Sequence, residues 1–197
     1  YNVENILVCI NEASEKGNKF IVFPELCITS YTCGDLFLQE YLINKSLNGI
    51  KEILDVTKNN DILIAVGSPF LYGSTLYNCA FLLFKGTILG IVPKSYLPNY
   101  SEFYEKRWFT EGLSVENEKI DLPFQKDIPF GTNLIFTSDI ASFGIEICED
   151  LWVTIPPSSY LSLMGAHIIG NLSASNELVS KMDYRKSLIS NQSARTI

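Results

Sequence analysis

The sequence predicts an α/β fold in which parallel and antiparallel strands share mixed sheets. Segments with the apolar spacing of helices alternate with short apolar runs typical of buried strands, as in helix-linked parallel sheets. One pair of runs is separated only by Lys85-Gly86, a two-residue turn that joins antiparallel strands. The 197 residues are 47% hydrophobic, which supplies enough apolar side chains for one large packed domain.

The first half of the chain is predicted to hold two helices and four strands. Apolar residues at helical spacing predict helices over 3–15 and 41–58. Apolar runs bounded by turn residues predict strands over 20–23, 61–66, 76–84 and 87–92.

The second half begins with residues 93–132, whose Pro, Asn, Tyr and charged residues predict a long irregular loop of the kind that is usually functional. Strands are predicted over 134–137, 142–147 and 167–172, and helices over 158–165 and 178–195. The chain opens and closes inside predicted helices, so we expect a fragment of a longer protein that is truncated at both ends.

Composition argues against several function classes. The balance of 15 basic and 22 acidic residues gives a charge of −7, so no basic stripe is available for nucleic acid. The longest apolar runs are strand-sized, which argues against membrane insertion. Five scattered cysteines, one histidine and no CxxC pair indicate neither a disulfide framework nor a zinc site. No signal peptide and no glycine-rich phosphate loop is found, so we expect a cytoplasmic protein without a nucleotide site here.

Reactive side chains directly follow two of the predicted strands, at a sheet edge where such groups converge. Glu25, after Phe-Pro, would be partly desolvated and suited to shuttle protons near neutral pH. Lys94, after Val-Pro, can place a fixed cation beside an oxyanion or a thiolate. The simpler alternatives are a capping or surface carboxylate and a solvated lysine.

A third reactive side chain, Cys148, lies where a strand meets a turn, the position of a nucleophile elbow. Backbone N–H groups after it could face an oxyanion, although a free cysteine often only packs. The acidic pair Glu149-Asp150 would raise the pKa of the thiol unless a cation lies nearby, so we interpret Lys94 and Cys148 together. His167 opens an apolar strand and is expected to be a packed or surface residue rather than a base.

These segments, in this order, resemble the carbon–nitrogen hydrolase (nitrilase) superfamily, whose catalytic set is Glu, Lys and Cys. Their flanks narrow the resemblance to the amino-terminal glutaminase domain of the glutamine-dependent NAD synthetase family, and the match spans nearly the whole chain. The motifs that carry it are FPELCITSY (23–31) with GDLF (34–37), KSYLPNY (94–100) with FYEKR (103–107), EICEDLW (146–152) and NLSAS (171–175).

The resemblance implies an αββα sandwich and a role for each matching residue. Cys148 would be the nucleophile, Glu25 the general base and later acid, Lys94 the cation at the oxyanion, and Glu105 an additional glutamate that holds the lysine and the substrate. The glutamine pocket would be lined by Tyr31, Tyr100, Glu149, Trp152 and Ser175, with Lys181 near the family's basic position for the substrate carboxylate.

The sequence departs from the family at Ser30, where glycine is usual, so the backbone before Tyr31 is a candidate strain point. The resemblance also implies that the family's first strand, the strands expected after Ile197 and the ATP-dependent synthetase domain would lie outside residues 1–197.

The resemblance therefore implies that residues 1–197 form an incomplete carbon–nitrogen hydrolase domain that hydrolyses L-glutamine through a thioester. Its ammonia would serve the amidation of nicotinic acid adenine dinucleotide to NAD at the C-terminal synthetase domain of the same full-length chain. No cofactor is expected in this domain; ATP and Mg are expected only at the synthetase domain. The resemblance also implies a homo-oligomer.

Two alternatives stay open. One is a stand-alone amidase, nitrilase or carbamoyl hydrolase of the same superfamily, although the tyrosine-rich segment 96–104 and residues 171–175 favour the synthetase branch. The other is a non-catalytic interaction module in which Cys148 merely packs and exposed aromatic residues bind a partner chain.

Overall fold

The computed structural model describes residues 1–196; Ile197, the last residue of the expected domain, lies outside the described residues. The helices are α1 (Asn2–Glu15), α2 (Glu40–Val56), α3 (Pro157–Leu163) and α4 (Lys181–Arg195). The strands are β1 (Phe20–Val22), β2 (Leu63–Tyr72), β3 (Thr75–Phe84), β4 (Thr87–Pro93), β5 (Glu118–Leu122), β6 (Gln125–Phe130), β7 (Ile135–Thr137), β8 (Ser142–Ile147) and β9 (Ile168–Leu172).

The strands form two mixed sheets, as the sequence predicts. The larger sheet has the order β1-β2-β3-β4-β6-β5, with β1–β2 and β4–β6 parallel and its other neighbours antiparallel. The smaller sheet has the order β7-β8-β9, with β7–β8 antiparallel and β8–β9 parallel.

Alternating side chains of the larger sheet divide the core into two layers. Ile64 and Val66 of β2 face α1 and α2, where they join a cluster with Ile10 and Ile50. The residues between them, such as Ala65, instead pack with the smaller sheet. The outer face of the smaller sheet carries α3 and α4, so the layers follow the expected αββα order.

The Lys85-Gly86 hairpin is confirmed. Both residues have positive φ angles, 46° and 74°, and Phe84 pairs with Thr87 across the turn. Positive φ at both central positions is the geometry of the tight turn that matches the twist of two antiparallel strands. Here a lysine occupies the first of these positions, and glycine occupies the second.

The prediction of one irregular loop over 93–132 is wrong, because β5 and β6 form a hairpin inside it. In β5, Ile120 and Leu122 are buried, whereas the charged residues Glu118, Lys119 and Asp121 are exposed. This alternation is typical of a strand with one solvated face, and the high local charge concealed it. Phe130 of β6 pairs with Ile91 of β4 and extends the larger sheet.

Two predicted boundaries also differ from the structure. The strand predicted over 61–66 continues to Tyr72, since β2 runs on into a second antiparallel hairpin with β3. The last helix begins at Lys181 rather than at residue 178, after Ser180 adopts a left-handed conformation. Within the described part of the chain, no helix is both long enough and apolar enough to span a bilayer.

Candidate active site

The three reactive residues singled out in the sequence lie together at one end of the sandwich. Glu25 follows β1, Lys94 follows β4, and Cys148 follows β8. β1 is parallel to β2, and two antiparallel pairings separate β2 from β4, so β1 and β4 run in the same direction and end at the same edge. All three side chains are buried, so the alternatives of a surface carboxylate and a solvated lysine are wrong.

The ammonium group of Lys94 lies between two carboxylates. Its Nζ donates to Glu25 Oε1 at 2.7 Å and to Glu105 Oε1 and Oε2 at 2.8 and 2.9 Å. Lys94 is 0% exposed, Glu25 2% and Glu105 1%. A buried cation with two carboxylate partners is electrostatically compensated, which is the condition for keeping such charges away from water.

Neighbouring charges decide the protonation of this cluster. Burial alone would lower the pKa of Lys94, but the carboxylates of Glu25 and Glu105 outweigh it and hold that pKa above its ordinary value. Burial raises the pKa of Glu105, while Lys94 opposes the rise. The cluster therefore holds a fixed cation at Lys94 throughout the neutral pH range.

Each oxygen of Glu25 has its own partners. Oε1 accepts the hydrogen bond from Lys94 and another from Asn78 Nδ2 at 2.7 Å. Oε2 accepts a hydrogen bond from the backbone N–H of Ala174 at 3.2 Å. Asn78 also accepts the Lys94 backbone N–H at its carbonyl, at 2.8 Å, so this residue contacts both members of the ion pair.

Cys148 begins a short 3₁₀ turn (Cys148–Leu151) and has a positive φ of 45°. A non-glycine residue in this region is uncommon, and such strain is found at nucleophile turns. The thiol is buried, and Ser173 Oγ donates to its sulfur at 3.4 Å. Burial and the charge of Glu25 raise the pKa of the thiol to about 12, against the opposing effects of Lys94 and Ser173.

Of the Glu149-Asp150 pair, Asp150 is buried, and its carboxylate faces backbone N–H groups. It accepts hydrogen bonds from Ile147 and Tyr96 at 2.9 Å each and from Ser95 at 3.4 Å. Through these hydrogen bonds, the Asp150 carboxylate links the segment after Lys94 to Ile147, the residue before Cys148. Burial raises the pKa of Asp150 to about 7, despite these bonds.

Two glycines allow backbone segments near the site to approach each other closely. A Cβ on Gly67 of β2 would lie 2.3 Å from the backbone nitrogen of Leu26, next to Glu25. A Cβ on Gly112 would lie 2.8 Å from the carbonyl oxygen of Lys94, which accepts the Gly112 N–H at 2.7 Å. Neither position has room for a side chain, so both glycines help to position the charged residues.

Three of the residues expected to line a substrate pocket, Tyr31, Tyr100 and Lys181, lie around the ring of Phe103. Its ring lies 6.5 Å from that of Tyr31 and 5.9 Å from that of Tyr100, and Lys181 Nζ lies 5.6 Å from its centroid. A cavity of about 410 Å³ opens beside Phe103 and is lined in part by Tyr31 and Ser175.

Of the six expected pocket residues, Tyr31 and Ser175 line this cavity, and three of the six donate hydrogen bonds to neighbours. Tyr31 donates to Glu105 at 2.8 Å, and burial together with Glu105 raises its pKa. Tyr100 donates to both carboxylate oxygens of Glu149, at 3.1 and 2.9 Å. Lys181 lies over the ring of Trp152, at 5.4 Å, and donates to Asn176.

His167 lies away from this cluster, as expected. It is exposed and accepts a hydrogen bond at Nδ1 from the backbone N–H of Ser142. A larger cavity of about 730 Å³, which His167 lines with Glu146, lies on the helix side of β8. The geometry of the buried charges, rather than cavity size, therefore indicates the site. In residues 1–196 no cluster of His, Cys, Asp and Glu has the arrangement of a metal site.

Sequence reasoning missed three residues that contact the reactive groups, which are Asn78, Ser173 and Ala174. It also assigned no role to Phe103, which lies beside Tyr31, Tyr100 and Lys181. Asn78 carried a signal, since an amide inside the otherwise apolar strand β3 requires a buried hydrogen-bond partner. Ser173 and Ala174 lie inside the NLSAS motif, in which only Ser175 was assigned a role.

Comparison with known protein families matches residues 1–196 to the carbon–nitrogen hydrolases. The chain belongs to this family. It is 35% identical over its full length to a glutamine-dependent NAD(+) synthetase of Mycobacterium tuberculosis, and 35% identical over 93% of its length to one of Arabidopsis thaliana. It spans 29% and 26% of these relatives, respectively, less than a third of either chain.

Solved structures agree with this assignment. A glutamine-dependent NAD(+) synthetase from Cytophaga hutchinsonii superposes with a TM-score of 0.88 and 32% identity, over 99% of this chain and 31% of that one. An amidase of the nitrilase superfamily from Nesterenkonia superposes with a TM-score of 0.76 at 16% identity, over 97% of this chain and 64% of that one, which shows a common fold. Both solved structures therefore share the fold of this chain.

Proposed function

We propose that this domain is a glutaminase, which hydrolyses the side-chain amide of L-glutamine through a thioester on Cys148. The observation that carries the proposal is the buried Lys94 ammonium held between Glu25 and Glu105, beside a cysteine on a strained turn. A base, a fixed cation and a nucleophile within one buried cluster are the components of covalent amide hydrolysis.

The nucleophile is activated as it reacts. Because the pKa of the Cys148 thiol is about 12, the sulfur carries its proton at neutral pH. Glu25 takes this proton while the sulfur bonds to the amide carbon, and the carbonyl oxygen becomes an oxyanion. The charge of Lys94 and the backbone N–H of Glu149 stabilise that oxyanion, and such a preorganised donor is typically worth about 3 kcal/mol.

Collapse of this intermediate releases ammonia. The carbon–nitrogen bond breaks as Glu25 returns the proton to the leaving nitrogen, and a glutamyl thioester remains on Cys148. Water then attacks the thioester while Glu25 accepts a proton from it. The carbon–sulfur bond breaks, and Glu25 returns this proton to the departing sulfur, which gives glutamate and the free thiol. Glu105 holds Lys94 in place through both steps. No cofactor takes part in this proposed sequence.

The charges around the pocket favour an amino-acid amide over a neutral amide. Lys181 offers an ammonium group for the α-carboxylate, and Glu149 with Tyr100 offers a carboxylate for the α-ammonium group. We propose that these residues, with Tyr31, Trp152 and Ser175, select glutamine.

The relatives matched by this chain are longer proteins named glutamine-dependent NAD(+) synthetase. We propose that the ammonia serves the amidation of nicotinic acid adenine dinucleotide to NAD at a C-terminal synthetase domain of the same protein. ATP and Mg would act there, and the assembled protein would be a cytoplasmic homo-oligomer.

Steady-state release of ammonia from glutamine by the intact protein tests the proposal. Cys148→Ala should abolish turnover, and Glu25→Gln should lower kcat about 100-fold or more because the base is lost. Cys9→Ala, a change at an exposed cysteine outside the site, should leave the rate unchanged. Substantial turnover by Cys148→Ala, or faster hydrolysis of simple aliphatic amides than of glutamine, would contradict the proposal.

A further inference from the structure

The sulfur of Cys148 needs a hydrogen-bond donor that Lys94 does not supply. Each of the three hydrogen bonds that Lys94 Nζ donates ends on an oxygen of Glu25 or Glu105. Lys94 therefore acts on the sulfur through its charge. The hydroxyl of Ser173, directly after β9, is the group that donates to the sulfur in the described structure, at 3.4 Å.

Such a donor matters because the other surroundings of the sulfur disfavour a thiolate. Burial and the negative charges of Glu25 and Glu105 raise the pKa of the Cys148 thiol, whereas Lys94 and the Ser173 hydroxyl lower it. The nearby phenolic groups are bound to carboxylates, since Tyr31 donates to Glu105 and Tyr100 donates to Glu149. A hydrogen bond to a charged atom is stronger than one to its neutral form, so it favours the developing thiolate over the thiol.

The next residue ties the same segment to the base. The backbone N–H of Ala174 donates to Glu25 Oε2 at 3.2 Å, while Oε1 is occupied by Lys94 and Asn78. Consecutive residues after β9 thus contact the nucleophile and the base. The hydroxyl of Ser173 has no hydrogen-bond partner other than the sulfur among residues 1–196, so no structural bond competes for it.

We propose that Ser173 is a further catalytic residue, which donates a hydrogen bond to the sulfur of Cys148 as the thiolate forms and as it leaves the thioester. The proposal rests on the proposed function only in taking Cys148 as the nucleophile. In the forward step the thiol proton passes to Glu25, and the hydroxyl of Ser173 keeps its own proton throughout.

The test compares Ser173→Thr with Ser173→Val in the intact protein, because the two replacements have nearly the same shape and differ in the hydroxyl. The probe is iodoacetamide, and peptide mapping by mass spectrometry gives the alkylation rate of Cys148 from pH 6 to 10. Exposed Cys9 serves as the internal reference in every sample. Thermal unfolding of each variant checks that the fold is retained.

Ser173→Val should alkylate at Cys148 roughly tenfold more slowly than Ser173→Thr at neutral pH, because a charge-assisted hydrogen bond is lost. The rise of its Cys148 alkylation rate with pH should also be shifted to higher pH than in Ser173→Thr. The kcat of Ser173→Val for glutamine should fall roughly tenfold at nearly constant KM. Ser187→Ala, at an exposed serine of α4, should behave as wild type. Equal Cys148 alkylation in the Thr and Val variants, with Cys9 unchanged, would overturn the proposal.

The alkylation result is independent of the substrate. If the wild type releases no ammonia from glutamine, the glutaminase proposal fails, and a tenfold difference in Cys148 alkylation would still support the role of Ser173. If glutamine is hydrolysed and the two variants alkylate equally, the proposal for Ser173 fails alone.

Discussion

Ser30 shows how one residue can store strain beside the site. Its backbone has φ 103° and ψ 149°, a region that is essentially restricted to glycine. The sequence predicted strain here, because the family usually has glycine at this position. The residue lies directly before Tyr31, whose hydroxyl donates to Glu105, so the strained backbone helps to aim that ring.

Ser30→Gly should therefore stabilise the protein, by about 1 kcal/mol after allowing for the greater freedom of glycine in the unfolded chain. Urea unfolding measures the change. Ser187→Gly, in the exposed middle of α4, is the matched control and should instead destabilise by about 1 kcal/mol. Destabilisation by both changes would show that Ser30 is not strained.

Asp150 is a second residue whose environment has a measurable consequence. Because burial raises its pKa to about 7, above the roughly 3.9 of an exposed aspartate, folding binds a proton between these pH values. The contribution of Asp150 to stability is then fully present below about pH 4 and is lost as the pH rises through about 7.

The Asp150→Asn variant has no ionisable group at this position. Its amide N–H groups would face the backbone N–H donors of Ile147 and Tyr96, so a hydrogen bond would be lost. We expect a loss of about 1–3 kcal/mol in the free energy of unfolding. The difference from wild type should be larger at pH 5 than at pH 8. Urea unfolding at both pH values gives this comparison, and a difference that grows with pH would contradict the raised pKa.

At the scale of elements, strand β2 and the segment after β1 approach each other more closely than any side chain allows. The Leu26 nitrogen lies 2.3 Å from where a Gly67 Cβ would be, and the Gly67 carbonyl accepts the Ile28 N–H at 3.1 Å. The position of Glu25 therefore depends on a glycine in another strand.

Gly67→Ala should force this segment away from β2 and cost more than about 3 kcal/mol, because the contact is with backbone that cannot rotate away. Turnover of glutamine by the folded fraction should also fall. Gly73→Ala, in an open turn with φ 60°, should cost only about 1 kcal/mol and leave kcat unchanged. Equal effects of the two changes in thermal unfolding and kcat would argue against the positioning role.

For the whole molecule, local patterns predicted the α/β class with mixed sheets and the three strand-end residues, whereas the αββα layering was implied by the family resemblance. Glu25, Lys94 and Cys148 each interrupt an apolar run at its end, and strand ends converge in a layered fold. The contacts of Asn78 with Glu25 and of Ser173 with Cys148 join residues 53 and 25 positions apart, so no local pattern indicates them. The hairpin of β5 and β6 was missed because its exposed face is charged.

Covalent labelling tests most directly that Cys148 is the nucleophile of a site that binds glutamine. The intact protein is treated briefly with a diazo-ketone analogue of glutamine, and the modified peptides are mapped by mass spectrometry. We predict stoichiometric modification at Cys148 alone, blocked by excess glutamine and absent in Cys148→Ala. Unlabelled Cys148 in folded protein, or labelling spread over several cysteines and unaffected by glutamine, would contradict the claim.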